Sequence, residues 1–222
     1  VRLPRRLVGP VGLSVLAAAY DGTARVWSVE SGGERLRLQA DEVFTYAAVF
    51  SPDGAQIATA GMGGVVRLWR ASDGVRLAEL RGHEGSVRGL AFSPDGKLLA
   101  SAGGDGVVRL WDLASNAVKA ELKGHRDEIR AVAFAGERLF SGGIDGRLLA
   151  WDLSTLESRV LESFASPIRA IAPSPDGSRV AVGLDDRPIS VLDAASGTPE
   201  LLLNGNESFV RELAWSADGS LL

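Results

Sequence analysis

His83, Ser101 and Asp105 are the three residue types of a hydrolytic triad, and His125, Ser141 and Asp145 present them a second time. A working triad needs an exposed serine, a histidine base within reach of substrate, and donors for the developing oxyanion. The spacing argues against that chemistry. In both sets serine is followed four residues later by aspartate and ten residues later by a tryptophan, Trp111 or Trp151. An enzyme needs one such site, whereas a scaffold needs the same strut in each of its parts. No catalytic role is assigned to these residues.

Other chemistry has little to draw on. His83 and His125 are the only histidines and there is no cysteine, which leaves no ligand set for zinc, no disulfide and no thiolate nucleophile. Asp53, Asp95, Asp176 and Asp218 recur, but each lies in a four-residue turn, "SPDG" or "SADG", without the alternating carboxylates of a calcium loop. "GMGG" at 61–64 reads as a tight turn between strands rather than a phosphate cradle before a helix. The expectation is no metal and no cofactor.

The elements that carry these residues repeat. Trp27, Trp69, Trp111 and Trp151 are 42, 42 and 40 residues apart, and Leu192 takes the next place after 41 more. The turn sequences at 51–54, 93–96, 174–177 and 216–219 and "GH" at 82–83 and 124–125 follow the same period. A fixed period of this length marks a repeat architecture. Within one period apolar residues alternate with a strand's period of two and are broken by turn residues. In the third unit "SVRGLAFS", "KLLASAG", "VVRLWDL" and "AVKAEL" read as four strands joined by "SPDG" and "GDG". Proline at the second turn position and Asp-Gly after it supply the backbone such turns need. Helical periodicity is nowhere sustained.

"GH" at 82–83 and 124–125, "WD" at 111–112 and 151–152, and Asp-Gly shortly before the tryptophans carry a resemblance to the WD-repeat β-propellers. The resemblance implies an all-β fold of four-stranded antiparallel blades over 1–222. Complete units are expected at 43–84, 85–126, 127–165 and 166–207. A partial unit at 1–42 would lack its first strand, and 208–222 would open another. The chain is similar in particular to repeat-rich bacterial WD proteins, which implies a piece of a longer protein joined to an effector domain such as a kinase or protease. "RRLVGPVGLSVLAAAY" has the outline of a secretory signal. "SVLAAAYDG" nevertheless superimposes on "LLASAGGDG", so a blade strand accounts for it better.

In the family a histidine, a serine, an aspartate and the tryptophan of one unit form a hydrogen-bonded chain. Carried over, the chains are His83–Ser101–Asp105–Trp111 and His125–Ser141–Asp145–Trp151. A buried indole N–H needs an acceptor, and a serine hydroxyl can accept it while donating onward. Histidine would link that hydroxyl to an ionised aspartate. Removing a member would leave a buried polar atom unpaired at about 1–3 kcal/mol, and Trp111→Ala would cost about 3–5 kcal/mol in packing. Other units depart from the pattern: Ala17, Asp21 and Trp27; Thr59, Gly63 and Trp69; Phe164, Val182, Asp186 and Leu192. The half-kept set at Thr59 has no evident partner, and apolar packing is expected to replace the last.

The residue after the first apolar position of each opening strand is Tyr46, Arg88, Arg130, Arg169 and Arg211 in successive units. In the family this strand lines a central channel, which implies that these side chains crown its mouth and bind an acidic segment or anion through forked donors. The plainer alternative is that each pairs with a neighbour such as Glu84, Asp127 or Glu128, and such surface pairs contribute little. Arg126, Arg187, Met62, Ile144, Phe164 and Phe209 fall at loop positions, and exposed apolar and arginine residues together are what interfaces enrich. Phe164 has a second reading, filling the space left by the missing histidine.

The chain has 222 residues, 45% hydrophobic and 23% charged, with a net charge of −4 and interspersed signs. That is not the clustered positive charge of a nucleic-acid binder, and no apolar run is long enough to span a bilayer. The expected function is a non-catalytic scaffold that binds proteins or peptides, in the cytoplasm. A propeller-based enzyme and a purely architectural domain are the alternatives.

Overall fold

The computed structural model describes residues 7–8, 14–186, 188–206 and 208–222. Among them are five four-stranded antiparallel sheets and no helix. The first holds β1 (Leu7–Val8), β2 (Ser14–Ala18), β3 (Thr23–Ser28) and β4 (Glu34–Gln39). The second holds β5 (Thr45–Phe50), β6 (Gln56–Gly61), β7 (Val66–Arg70) and β8 (Arg76–Leu80). The third holds β9 (Val87–Phe92), β10 (Leu98–Gly103), β11 (Val107–Asp112) and β12 (Ala117–Lys123). The fourth holds β13 (Ile129–Ala135), β14 (Arg138–Gly143), β15 (Arg147–Asp152) and β16 (Ser158–Ser163). The last holds β17 (Ile168–Pro173), β18 (Arg179–Leu184), β19 (Ile189–Asp193) and β20 (Pro199–Leu203).

Two boundaries differ from expectation. The first sheet does have an opening strand, the two-residue β1, paired to β2 at Leu7↔Leu16 and Val8↔Val15. Residues 208–222 form no strand, although the turn within them is made. This segment is tied by the Val210 amide on the Leu184 carbonyl at 3.1 Å. The Trp215 indole adds a bond to the Ala172 carbonyl at 2.9 Å.

The chain divides into two compact units: Val1–Asp105 with Arg109–Glu121, and Gly106–Val108 with Leu122–Leu222. In the first, Ala47, Ala58, Val66, Leu68, Val87, Leu99 and Trp111 form an apolar core, while Leu16, Val26, Leu38, Ile57 and Trp69 form another. In the second, Phe140, Leu148, Ile168, Val180, Val182, Leu184 and Leu192 pack together. Second strands are buried along almost their whole length, as in "LLASAG" of β10. Both faces meet apolar neighbours there, so small alanine, serine and glycine side chains fit. Fourth strands mostly face solvent and bury one leucine each, Leu38, Leu80, Leu122 and Leu161. β20 differs, because Leu201, Leu202 and Leu203 are all exposed.

The recurring turns share one construction. Ser51 Oγ donates to Asp53 Oδ1 at 2.5 Å and accepts the Gln56 amide at 2.9 Å, while Asp53 Oδ1 accepts the Ala55 amide. Ser93 with Asp95, Ser174 with Asp176, and Ser216 with Asp218 repeat it. The serine hydroxyls hold Asp176 and Asp218 down to about 2. These aspartates therefore serve turn closure.

Candidate functional site

The opening strands share one irregularity. β5 pairs with β6 at Thr45↔Gly61 and then Ala47↔Ala60, so Tyr46 is the extra residue of a β-bulge. Arg88 is skipped in the same way between Val87↔Gly103 and Gly89↔Ala102. Arg130 is skipped between Ile129↔Gly143 and Ala131↔Gly142, and Arg169 between Ile168↔Leu184 and Ala170↔Gly183. A bulged residue leaves the ladder, bends its strand and re-aims its side chain. Arg211 follows Val210 in the equivalent place, in a segment that forms no strand among the described residues.

Each of these side chains has local company. In the first unit the Arg88 guanidinium lies 4.2 Å from the Tyr46 ring centroid. In the second unit Arg130 pairs with Glu128 at 3.1 Å. Arg169 grips Asp185 with two donors, one of them Nη2 to Oδ2 at 2.8 Å. Phe209, 39% exposed, has the Arg169 guanidinium 5.1 Å and that of Arg211 4.7 Å from its centroid. Arg169, with help from Arg130, holds the Asp185 carboxyl below its usual range. Arg126 has an exposed side chain and gives its amide to Asp145 at 3.0 Å. Arg187 lies outside the described residues. Met62 is exposed, Ile144 is half-buried, and Phe164 packs against the core of the second unit.

The polar chains are internal. Trp111 Nε1 donates to Ser101 Oγ at 2.8 Å, and His83 Nε2 is 2.7 Å from the same oxygen. His83 Nδ1 is 3.1 Å from both Asp105 oxygens, and Asp105 also accepts the Glu84 amide. In the fourth sheet Trp151 Nε1 donates to Ser141 at 2.8 Å, with His125 Nε2 at 2.7 Å and His125 Nδ1 3.0 Å from both Asp145 oxygens. Both histidine side chains are 0% exposed. Burial lowers both histidines below their ordinary value against the pull of their aspartates, which favours neutral imidazole. Both aspartates stay low although burial opposes it: Arg109 and the Glu84 amide act on Asp105, and the Arg126 and Arg147 amides on Asp145. At Gly103 any Cβ would strike the His83 ring and the Asp105 carboxylate, so the chain has no room for a larger residue.

Three participants, Arg109, Asp41 and Ser166, were not read from the sequence. Arg109 reaches His83 Nδ1 at 2.7 Å, Asp105 at 2.6 Å and Glu121 at 2.9 Å. Its place two residues before the tryptophan, shared with Arg67 and its partner Glu79, was the available signal. Asp41, 3% exposed, stands where the second sheet would have histidine and accepts the Gly63 amide at 3.0 Å. Thr59 accepts the Trp69 indole proton at 2.8 Å, which supplies the partner that the half-kept set lacked. In the last sheet Ser166 donates to Asp186 at 2.6 Å. Apolar packing thus replaces only part of that chain.

Among the described residues no group of histidine, aspartate or glutamate could hold a metal ion, and no helix is long and apolar enough to cross a membrane.

Sheets of this build, pinned by an indole–serine–histidine–aspartate chain, are the blades of WD-repeat proteins. The family model described as WD domain, G-beta repeat matches residues 38–70, 74–112 and 116–152, so these three segments are WD repeats. It is 32% identical over 91 residues to a mouse U3 small nucleolar RNA-associated protein 4 homolog, covering 38% of this chain and 13% of that protein. It is 31% identical over 84 residues to transcription factor unc-37 of Caenorhabditis elegans, covering 38% and 14%. Protein groucho of Drosophila melanogaster is 33% identical over 84 residues, covering 38% and 11%. The chain thus spans a small part of each relative, and these three are animal proteins rather than the bacterial ones expected.

Proposed function

We propose that the chain is a non-catalytic interaction module that receives an acidic segment of a protein partner on the arginine and phenylalanine surface of its second unit. The observation that carries this reading is the bulge recurring at Arg130 and Arg169. It takes the same residue type out of the ladder in successive opening strands, where both arginines act on Asp185 and Arg169 shares the Phe209 ring with Arg211. Guanidinium groups over an aromatic ring pair forked donors with apolar contact, a combination suited to carboxylates on a peptide. Enzyme chemistry has no support from the histidines, because their side chains are shut off from substrate. A matched protein named for association with a small nucleolar RNA and another named as a transcription factor fit assembly roles.

Fluorescence anisotropy with a labelled glutamate-rich peptide tests this. Arg130→Glu and Arg211→Glu are expected to weaken binding at least tenfold, and native binding should fall with salt. Unchanged affinity in both variants rejects the surface. No binding by the native chain rejects the acidic partner and favours an architectural role.

A further inference from the structure

The first unit holds a second exposed patch of different character. Tyr20 is 49% exposed, Val43 49%, Phe44 37% and Met62 48%. Tyr20 packs edge-on against Phe44 at 5.5 Å and Tyr46 at 5.9 Å between centroids, and Phe44 lies 6.1 Å from Tyr46. Backbone bonds draw three segments together here, from the Thr45 amide to Ala19 and from the Met62 amide to Phe44. At Gly61 a Cβ would run into the Phe44 carbonyl, so glycine permits this approach. The rings brace one another, and rigid aromatic groups lose little freedom when a partner lands on them.

The rim sets the sign of the partner. Glu42, next to Val43, and Glu84 are exposed, and Glu84 adjoins Gly85, whose carbonyl faces the turn that carries Met62. The cations of this region are engaged, Arg25 with Asp21 and Arg88 over Tyr46. We infer that Tyr20, Phe44, Tyr46 and Met62 form a docking patch for an extended peptide segment with an apolar side chain flanked by lysine or arginine. This rests on reading the chain as an interaction module, but uses another surface and a partner of opposite charge.

The test is anisotropy with two labelled peptides sharing one central leucine-phenylalanine pair, one flanked by lysines and one by glutamates. The lysine-flanked peptide is expected to bind the native chain, with at least tenfold weaker binding by Tyr20→Ser and by Met62→Ser. Glu42→Lys with Glu84→Lys should weaken it further and admit the glutamate-flanked peptide at this patch. Thermal melts confirm that the variants fold, since each changes an exposed side chain. Equal binding by both serine variants overturns the inference, as does failure of the native chain to bind the lysine-flanked peptide. Glutamate-rich peptide binding at Arg130 and Arg211 should be unaffected by Tyr20→Ser, so the two surfaces fail or stand separately.

Discussion

Asp41 Oδ2 accepts the Gly63 amide proton at 3.0 Å, which turns the polar chain of the second sheet around. In the third sheet the turn residue Asp105 reaches back to the Glu84 amide, one residue past histidine. In the second sheet the turn residue is glycine, and the carboxylate reaches forward from the histidine's place. Both arrangements span the same gap and satisfy a backbone donor, as buried polar groups require. One carboxylate fills the gap in either direction. Two would repel.

Gly63→Asp should therefore destabilise the protein by about 1–3 kcal/mol, since it brings a second carboxylate against a buried one. A Cβ at this position would already stand 3.2 Å from Asp41 Oδ2. Asp41→His alone removes the acceptor of the Gly63 amide and should also destabilise. Combined, they restore the residue types of the third sheet, and Thr59 supplies the hydroxyl. Urea unfolding of the four proteins should give a favourable coupling of about 0.5–3 kcal/mol. Strict additivity would show that the turns are not in contact.

Stability should fall on acidification in two stages. His83 and His125 are neutral when buried, and their folded-state values lie below the ordinary 6.5. The unfolded chain then binds protons that the folded chain refuses, so their contribution is intact above about pH 6.5 and fades as pH drops through the lower folded values. Asp105 and Asp145 lie below the ordinary 3.8, and their contribution fades only under more acidic conditions. Denaturant midpoints between pH 8 and 5 measure the first stage, taking roughly the ordinary histidine range as its upper edge. His83→Gln with His125→Gln should flatten it. A native midpoint constant across this range contradicts neutral burial.

The two imidazoles should hold their protons on different nitrogens. Arg109 stands 2.7 Å from His83 Nδ1 and competes there with Asp105 at 3.1 Å; an Nδ1 that accepts from Arg109 would put the His83 proton on Nε2, toward Ser101. In the fourth sheet Leu149 stands in the equivalent place, and the Nδ1 proton of His125 points at Asp145. Nitrogen shifts of the imidazoles by NMR should show opposite tautomers. Arg109→Met should make His83 match His125, and two identical native tautomers would refute the role of Arg109.

Much of the architecture is legible in the chain itself. Period-two alternation, turns built on Ser and Asp-Gly, and evenly spaced indoles are local facts, and four strands per period follow from them. The chains at His83 and His125 come from the resemblance to WD-repeat proteins, carried onto residues whose serine–aspartate–tryptophan spacing occurs twice. The bulges at Tyr46, Arg88, Arg130 and Arg169 could not be read in the same way. Their residue types recur with the period, but skipping a ladder position depends on how two strands settle in register.

What the linear order determined is therefore the repeat, its strands and the positions able to carry an indole–serine–histidine–aspartate chain, since these rest on contacts within one unit. Folding decided which substitutes complete a broken chain: Asp41 in place of histidine, Ser166 beside Asp186, and Arg109 between His83 and Glu121. It also decided that the exposed rings of Tyr20 and Phe44 meet the half-buried ring of Tyr46. The reason is geometric. A hydrogen bond or a ring contact depends on ångström-scale placement of side chains from distant strands, and that placement exists only once the sheets have packed.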